Sequence, residues 1–273
     1  MTTADFTKYK AIVIPDCLCN TSLSTIKFLD DTKRIWSPAV TGNMVLIGTD
    51  PSFHAKWFNL PGAYAMMQDA LSLVSTGKNG TGMYFSLSCY YQSNATAMPI
   101  EALSEIGDFQ VRGNLSHPCL NNAHLVAKSS VMTSLNDDIA SNWNCSVHEV
   151  FSEYPRSGPD GFEALAIALN ATGIGARSFA DNTSGIPNGI QRGMRQWRCQ
   201  RNPGRFVLRF LQVSAWHDCS RYLPVEHHIK LVKPNPKQHP LHKFQYCRGY
   251  IVDCKLLGIQ FLCACHGITE QPI

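Results

Sequence analysis

Residues 43–88 read NMVLIGTDPSFHAKWFNLPGAYAMMQDALSLVSTGKNGTGMYFSLS, and this stretch decides the fold. It begins with the apolar run 43–48 and ends with another at residues 81–88, and both resemble buried β-strands in length and composition. Between them, Pro61 opens a helix with apolar residues at helical spacing, and Gly77 follows its end. A strand, a helix and a strand joined by short links favour a parallel pair with a crossover helix.

The same alternation is present closer to the N-terminus. Residues 11–15 (AIVIP) form a strand-like run, and the apolar side chains of residues 24–36 fall on one helical face. The chain therefore predicts an α/β fold with a doubly wound, mostly parallel sheet of flavodoxin-like type. Later segments give weaker signals: residues 109–111 are strand-like, residues 130–143 and 147–154 look helical, and residues 162–169 are apolar and ambiguous.

The charge of the chain changes sharply near residue 191. Residues 1–190 carry 11 Lys and Arg against 16 Asp and Glu, whereas residues 191–273 carry 13 against 4. A net charge of −5 is thus followed by one of +9, and such a break marks a boundary. We therefore divide the chain into an α/β domain, residues 1–191, and a basic tail containing Cys and His, residues 192–273, which we expect to be poorly structured.

The first domain carries the signature of a secreted glycoprotein. Sites for N-linked glycosylation occur at Asn20, Asn79, Asn94, Asn114, Asn144, Asn170 and Asn182, and none lies in the tail. The eleven cysteines are typical of an oxidising compartment, where some of them form disulfide bonds. We therefore predict a secreted or cell-surface protein.

The first residues, MTTADFTKYK, lack the apolar core of a signal peptide. We expect that Met1 is an internal methionine and that a leader and an initial strand are missing; unconventional export is the alternative. No run of about 18 apolar residues is present, so no transmembrane segment is predicted.

Polar residues follow each of the three clear strands. Ligands of open α/β sheets bind outside the carboxyl ends of the strands, where the loops are free of the core. We expect a binding crevice there, lined by Asp16, Thr49, His54 and Ser88.

Cys89 is the candidate nucleophile, with His148 as its base and either Asp50 or Glu149 as the assisting carboxylate. A thiol that follows a strand can form such an arrangement with a distant histidine and carboxylate. A nucleophile elbow requires small flanking residues, but a serine and a tyrosine flank Cys89. A disulfide-bonded Cys89 is therefore the favoured interpretation.

No spacing in the sequence requires a metal or a cofactor, and we predict neither. A cation could be held in the first domain by Asp16, Asp50, His54 and His148, but no spacing among them requires one. The Cys and His pairs of the tail lack the fixed spacing of zinc modules. The six arginines of residues 192–209 contain no recognisable nucleic-acid-binding module, so we expect a solvated segment and no nucleic-acid partner.

Several segments resemble a group of uncharacterised secreted proteins of fungi and bacteria. The segments are TTADFTKYKAIVIPDC, SPAVTGNMVLIGTDPSFH, GMYFSLSCYY, NNAHLVA, SNWNCSVHEVFSEYP and FADNTSGIPNGIQRG. The resemblance runs from residue 1 to about residue 193 and implies a class I glutamine amidotransferase-like, flavodoxin-like domain and a wall or matrix location. It implies no settled activity.

The chain also departs from that fold family. Amidotransferases have a cysteine in a glycine elbow and a later His-x-Glu, whereas Cys89 matches only the strand-end position and His148 is directly followed by Glu149. The resemblance stops abruptly after Arg192. We therefore expect that the tail arises from a shifted reading frame or a retained intron.

These observations leave three functional hypotheses. The favoured one is a non-catalytic module of a fungal wall, matrix or colony surface, with a role in adhesion or biofilm architecture. Its partners would be cell-wall glycans or surface proteins. The second is a cysteine-dependent hydrolase or amidase that uses Cys89 and His148. The third is a degenerate or wrongly predicted gene product without independent activity.

Overall fold

The computed structural model describes residues 1–16, 18–76, 80–115, 119–127, 133–158 and 160–193, and the backbone of residues 250–256 and 259–265. These residues belong to one compact unit, formed by residues 1–194 and 243–273. The α-helices are α1 (Thr3–Phe6), α2 (Lys27–Trp36), α3 (Pro51–Phe58), α4 (Pro61–Ser75) and α5 (Asp137–Ala140). The strands are β1 (Ala11–Ile14), β2 (Met44–Ile47), β3 (Gly82–Ser86), β4 (Met98–Pro99), β5 (Gln110–Arg112), β6 (Ala123–Leu125), β7 (Val150–Glu153), β8 (Glu163–Leu169), β9 (Arg177–Ser178), β10 (Ser184–Arg192), β11 (Tyr250–Leu256) and β12 (Ile259–Cys265).

The central sheet is mixed, which confirms the α/β class. Its strand order is β11-β12-β1-β3-β2-β10-β8-β6, with β9 paired to β10. The strands β12, β1, β3 and β2 run parallel, whereas β10 is antiparallel to β2, and β8 and β6 continue the antiparallel pairing. A second, smaller sheet has the antiparallel order β4-β5-β7.

The strands β1, β2 and β3 lie where the sequence predicts them. Every residue of the runs AIVI, MVLI and GMYFS is buried, as expected for parallel strands that are covered on both faces. On α2, Leu29 and Trp36 face the core, and the Trp36 indole N–H donates to the carbonyl of Leu29 at 2.9 Å. The helix α4 begins at Pro61, as predicted.

Other segments differ from their sequence-based expectations. Residues 51–58, for which the sequence pattern predicted no helix, form the helix α3, which starts with Pro51 and is followed by Asn59 in a left-handed conformation. The helix predicted over residues 147–154 is wrong: Val150–Glu153 is a strand, because its partner Gln110–Arg112 satisfies its backbone hydrogen bonds. The predicted strand at residues 109–111 is confirmed by β5.

The structure also shows the conformation of the two remaining segments with weak sequence patterns, residues 130–143 and 162–169. Of the predicted helix 130–143, the described residues contain only the single turn Asp137–Ala140, which the Asn136 side chain caps. The ambiguous run 162–169 forms the long strand β8.

Two segments of the basic tail belong to the central sheet. The strand β12 pairs in parallel with β1, and β11 pairs antiparallel with β12. These two segments are therefore ordered in the sheet, in contrast to the expectation of a poorly structured tail. The strand β12 covers the otherwise open edge of β1. The tail's arginine-rich stretch 192–209 lies outside the described residues after Gly193, as do its histidine pairs. Within the described part of the chain, no helix combines the length and apolarity needed to cross a bilayer.

The start of α4 requires a glycine. A Cβ atom on Gly62 would collide with the backbone carbonyl of Ile139, on α5, whereas one on Gly189 would meet its nearest atom at 3.6 Å. We expect Gly62→Ala to lower the free energy of unfolding by about 1–3 kcal/mol or more, because the backbone must move apart. The control Gly189→Ala is expected to change it by much less, and urea unfolding of both variants measures the difference. Equal stability of the two variants would contradict this close approach.

Candidate functional site

The predicted site residues meet at one edge of the sheet. Asp16 follows β1, Thr49 and Asp50 follow β2, and Ser88 and Cys89 follow β3. Because β1, β3 and β2 run parallel, their carboxyl ends and the loops after them lie together.

His148 reaches this edge from a distant part of the chain. The backbone N–H groups of His148 and Glu149 both donate to the carbonyl of Gly48, at 3.0 and 2.9 Å. A Cβ atom at Gly48 would collide with the carbonyl of Glu149, so only glycine permits this approach. The end of β2 therefore holds the segment that carries His148 directly over the loop that follows β3.

Four side chains form a buried cluster there. Cys89 Sγ lies 2.8 Å from His148 Nδ1 and 3.7 Å from Asp50 Oδ2. Asp50 Oδ1 lies 3.2 Å from His148 Nε2 and 3.1 Å from Nε2 of His54, which projects from α3. Each of these four residues is no more than 3% exposed, so the cluster is closed to solvent.

Cys89 forms a disulfide bond with Cys19, whose Cα atom is 5.0 Å from its own. A second disulfide joins Cys119 and Cys145. The favoured sequence-based interpretation placed Cys89 in a disulfide but did not identify its partner. The position of Cys19, in the loop after β1, was the available signal, since that loop shares the edge with Cys89.

Asp50 is an ionised carboxylate between two imidazole rings. Burial raises the pKa of Asp50, but the adjacent rings of His148 and His54 outweigh burial and hold the pKa below its usual value. Asp50 is therefore the carboxylate nearest to His148, whose Nε2 also lies 3.1 Å from the carbonyl of Cys145. The predicted convergence of Cys89, His148 and Asp50 is present in the structure, within a disulfide-bonded and buried cluster.

Glu149, the alternative carboxylate, faces a different group. Its Oε1 accepts a hydrogen bond from the Tyr91 backbone N–H at 3.0 Å, and its Oε2 has no partner among the described residues. Full burial raises the pKa of Glu149 well above its ordinary value. This residue therefore fixes the loop after β3 and does not orient His148.

Asp16 and Ser88 also have structural contacts. Ser88 has a left-handed φ of 57°, and its hydroxyl donates to the Asp16 carboxylate. The same carboxylate accepts the backbone N–H groups of Leu18 and Asn20, at 3.0 and 2.8 Å, and so shapes the loop that carries Cys19. These contacts use most of the hydrogen-bonding capacity of Asp16.

The predicted crevice residues form a packed cluster. Asp16, Thr49, His54 and Ser88 are all buried, at 7%, 0%, 3% and 0% exposure. In this part of the described chain they support the loops around the disulfide, and they do not line an open cleft.

Four of the predicted glycan acceptors are exposed on the surface. Asn114, Asn144, Asn170 and Asn182 are exposed, and their φ values of 49°, 69°, 61° and 67° place them at left-handed turns. A left-handed backbone conformation favours asparagine whether or not the side chain carries a glycan. Asn20 and Asn94 are half-buried, and Asn79 lies outside the described residues.

No family model, no curated protein and no solved structure matches the chain. The class of site is therefore defined by its geometry. The site is a buried disulfide in contact with a histidine that lies beside a buried carboxylate.

The raised pKa of Glu149 predicts a pH-dependent stability. A carboxyl group whose pKa is higher in the folded than in the unfolded chain makes stability fall as pH rises above the unfolded value. We expect Glu149→Gln to remove this loss and to raise the urea midpoint relative to the natural chain at pH 8, with a smaller gain at pH 4. The control is Glu153→Gln on the exposed end of β7, which should not reproduce the gain in urea midpoint at pH 8. A profile unaffected by Glu149→Gln would contradict the buried acid.

Proposed function

We propose that this chain is a non-catalytic, disulfide-bonded module of the secretory pathway. It acts at a cell surface or in a fungal-type wall or matrix, where it contacts glycans or surface proteins. The observation that carries the proposal is that Cys89 is bonded to Cys19 and fully buried. A disulfide sulfur is not a thiolate, and disulfides persist in oxidising compartments.

The backbone around Cys89 supports a non-catalytic role. Oxyanion stabilisation in acyl transfer requires free N–H groups close to the nucleophile. Here the N–H of Tyr90 donates to the carbonyl of Leu87 at 3.1 Å, and that of Gln92 donates to the carbonyl of Cys89 at 3.2 Å. The N–H of Tyr91 is bound by the Glu149 carboxyl group, so these three amides all have acceptors within the protein.

The surface of the domain supports an extracellular role. Residues 1–190 have a net charge of −5, and the described acceptor asparagines are exposed or half-buried. An acidic surface that also bears glycans would remain soluble and would face outward.

The fold is proposed to be of the flavodoxin-like, amidotransferase-like type. Parallel β1, β3 and β2, with helices in their connections, support this kinship. The sharp turn after β3 has its left-handed residue at Ser88, one position before Cys89. If this turn corresponds to a nucleophile elbow, a serine that is hydrogen-bonded to Asp16 occupies its strained position.

Peptide mass mapping of the protein from its native source tests the proposal. With thiols alkylated before reduction, we expect a cross-linked Cys19–Cys89 peptide pair and glycan on at least one of Asn114 and Asn170. The Cys119–Cys145 pair reports whether oxidation survived the preparation. Alkylated Cys19 and Cys89 together with bare acceptor asparagines would overturn the secretory assignment.

A cysteine-dependent hydrolase or amidase is a second candidate, favoured by the 2.8 Å contact between Cys89 Sγ and His148 Nδ1. After reduction, Nδ1 is placed to accept the thiol proton, and Asp50 would stabilise the resulting imidazolium. This candidate requires a reduced chain and an opening above a cluster that is now buried.

Alkylation kinetics test this second candidate. In the reduced chain at pH 6.5, a thiolate–imidazolium pair should make Cys89 react at least about tenfold faster than Cys119, because its thiol pKa is lowered. His148→Asn should remove this advantage and leave the rate at Cys119 unchanged. Equal rates at the two cysteines in the natural chain would exclude the nucleophile.

A further inference from the structure

We propose that the buried site around the Cys19–Cys89 disulfide becomes a zinc site when the disulfide is reduced. Once the Cys19–Cys89 bond is opened, Cys19, Cys89, His148 and Asp50 would bind one Zn²⁺ in tetrahedral coordination. The inference concerns the reduced chain, so it does not depend on the secretory role proposed above.

The four ligand atoms are already close to one another. Each residue offers one atom, and these atoms all lie within 4.8 Å of each other. Zinc bonds of about 2.0–2.3 Å in tetrahedral geometry place neighbouring ligand atoms about 3.3–3.8 Å apart. Two thiolates, an imidazole and a carboxylate are ligand types that zinc accepts. The principal movement required is the separation of the two sulfur atoms after reduction.

The tautomer of His148 suits a metal ligand. Its Nε2 lies 3.1 Å from the carbonyl of Cys145, an acceptor that selects the tautomer with hydrogen on Nε2. The lone pair of Nδ1 then points towards Cys89 Sγ, 2.8 Å away, and a disulfide sulfur carries no proton to donate. Metal-bound histidines commonly donate their other N–H to a backbone carbonyl in this way.

The Asp50 carboxylate is the other feature of the site that suits a cation. It is 0% exposed, and its Oδ1 has no hydrogen-bond partner among the described residues, although two imidazoles lie nearby. Nε2 of His54 and Nε2 of His148 are instead within hydrogen-bonding distance of the Cys145 carbonyl oxygen, each at 3.1 Å. A buried carboxylate with an unused oxygen is costly in the absence of a partner, and a cation would compensate it.

A phosphine can reduce the Cys19–Cys89 disulfide with water as the source of oxygen and protons. The phosphine transfers two electrons to the disulfide and takes an oxygen atom from water to become the phosphine oxide. The two hydrogens of that water protonate the sulfurs, which gives two thiols. Zn²⁺ then displaces both thiol protons, so binding weakens as pH falls.

Zinc-protected alkylation of the full chain tests the site. The chain is reduced with the phosphine and treated with iodoacetamide, with and without Zn²⁺, and each cysteine peptide is then quantified. We expect Zn²⁺ to slow alkylation of Cys19 and Cys89 by at least about tenfold and to leave Cys119 and Cys145 unprotected.

Matched variants separate this site from other thiols of the chain. His148→Asn and Asp50→Asn should each weaken the zinc affinity at Cys19 and Cys89 by at least about tenfold. His124→Asn, a histidine outside the cluster, should retain full protection. Near-ultraviolet circular dichroism of each reduced variant shows whether it remains folded.

Equal protection of all four disulfide-forming cysteines (Cys19, Cys89, Cys119 and Cys145) from alkylation would overturn the proposal, because it would indicate non-specific binding of Zn²⁺ to thiols. Protection that survives both His148→Asn and Asp50→Asn would also overturn it. So would a reduced natural chain in which Zn²⁺ changes neither the alkylation rates nor the circular dichroism.

Discussion

The parallel alignment of β1, β3 and β2 is the constraint on which the rest of this structure depends. The register that pairs Ala11 with Gly82 and Val45 with Tyr84 makes the three strands end at one edge. Loops that are far apart in sequence must therefore share a small volume. The Cys19–Cys89 disulfide links two of these loops covalently, and the carbonyl of Gly48 fixes the segment that brings His148 to them.

Three buried carboxyl groups at this edge are stabilised in three different ways. Asp16 accepts two backbone N–H groups and a serine hydroxyl, so its hydrogen bonds replace those of water. Asp50 lies between two histidine rings that favour its ionised form. Glu149 accepts the backbone N–H of Tyr91, but its full burial favours its protonated form. Carboxyl groups at this one edge of the sheet therefore differ in their contacts and in their favoured protonation state.

The sequence predicted the parts of the fold that are set by local patterns. The apolar runs of β1, β2 and β3, the start of α4 at Pro61 and the polar residues after each strand follow from periodicity and strand-end chemistry. The β7 strand did not follow from its sequence, because its neighbour in the sheet determines its conformation. Asp50, Cys89 and His148 were predicted as a group, whereas Cys19 as the disulfide partner and the Cys145 carbonyl were not.

The sequence by itself determined which residues form β1, β2 and β3, which asparagines lie in glycosylation sequences, and which side chains follow the ends of these strands. It did so because these properties depend on neighbours within a few positions along the chain. Only the tertiary structure decided that Cys89 is bonded to Cys19, that Asp50 lies beside His148, and that β12 extends the sheet beyond β1. These features depend on contacts between segments that are distant in sequence, which strand pairing and the loop contacts at the strand ends bring together.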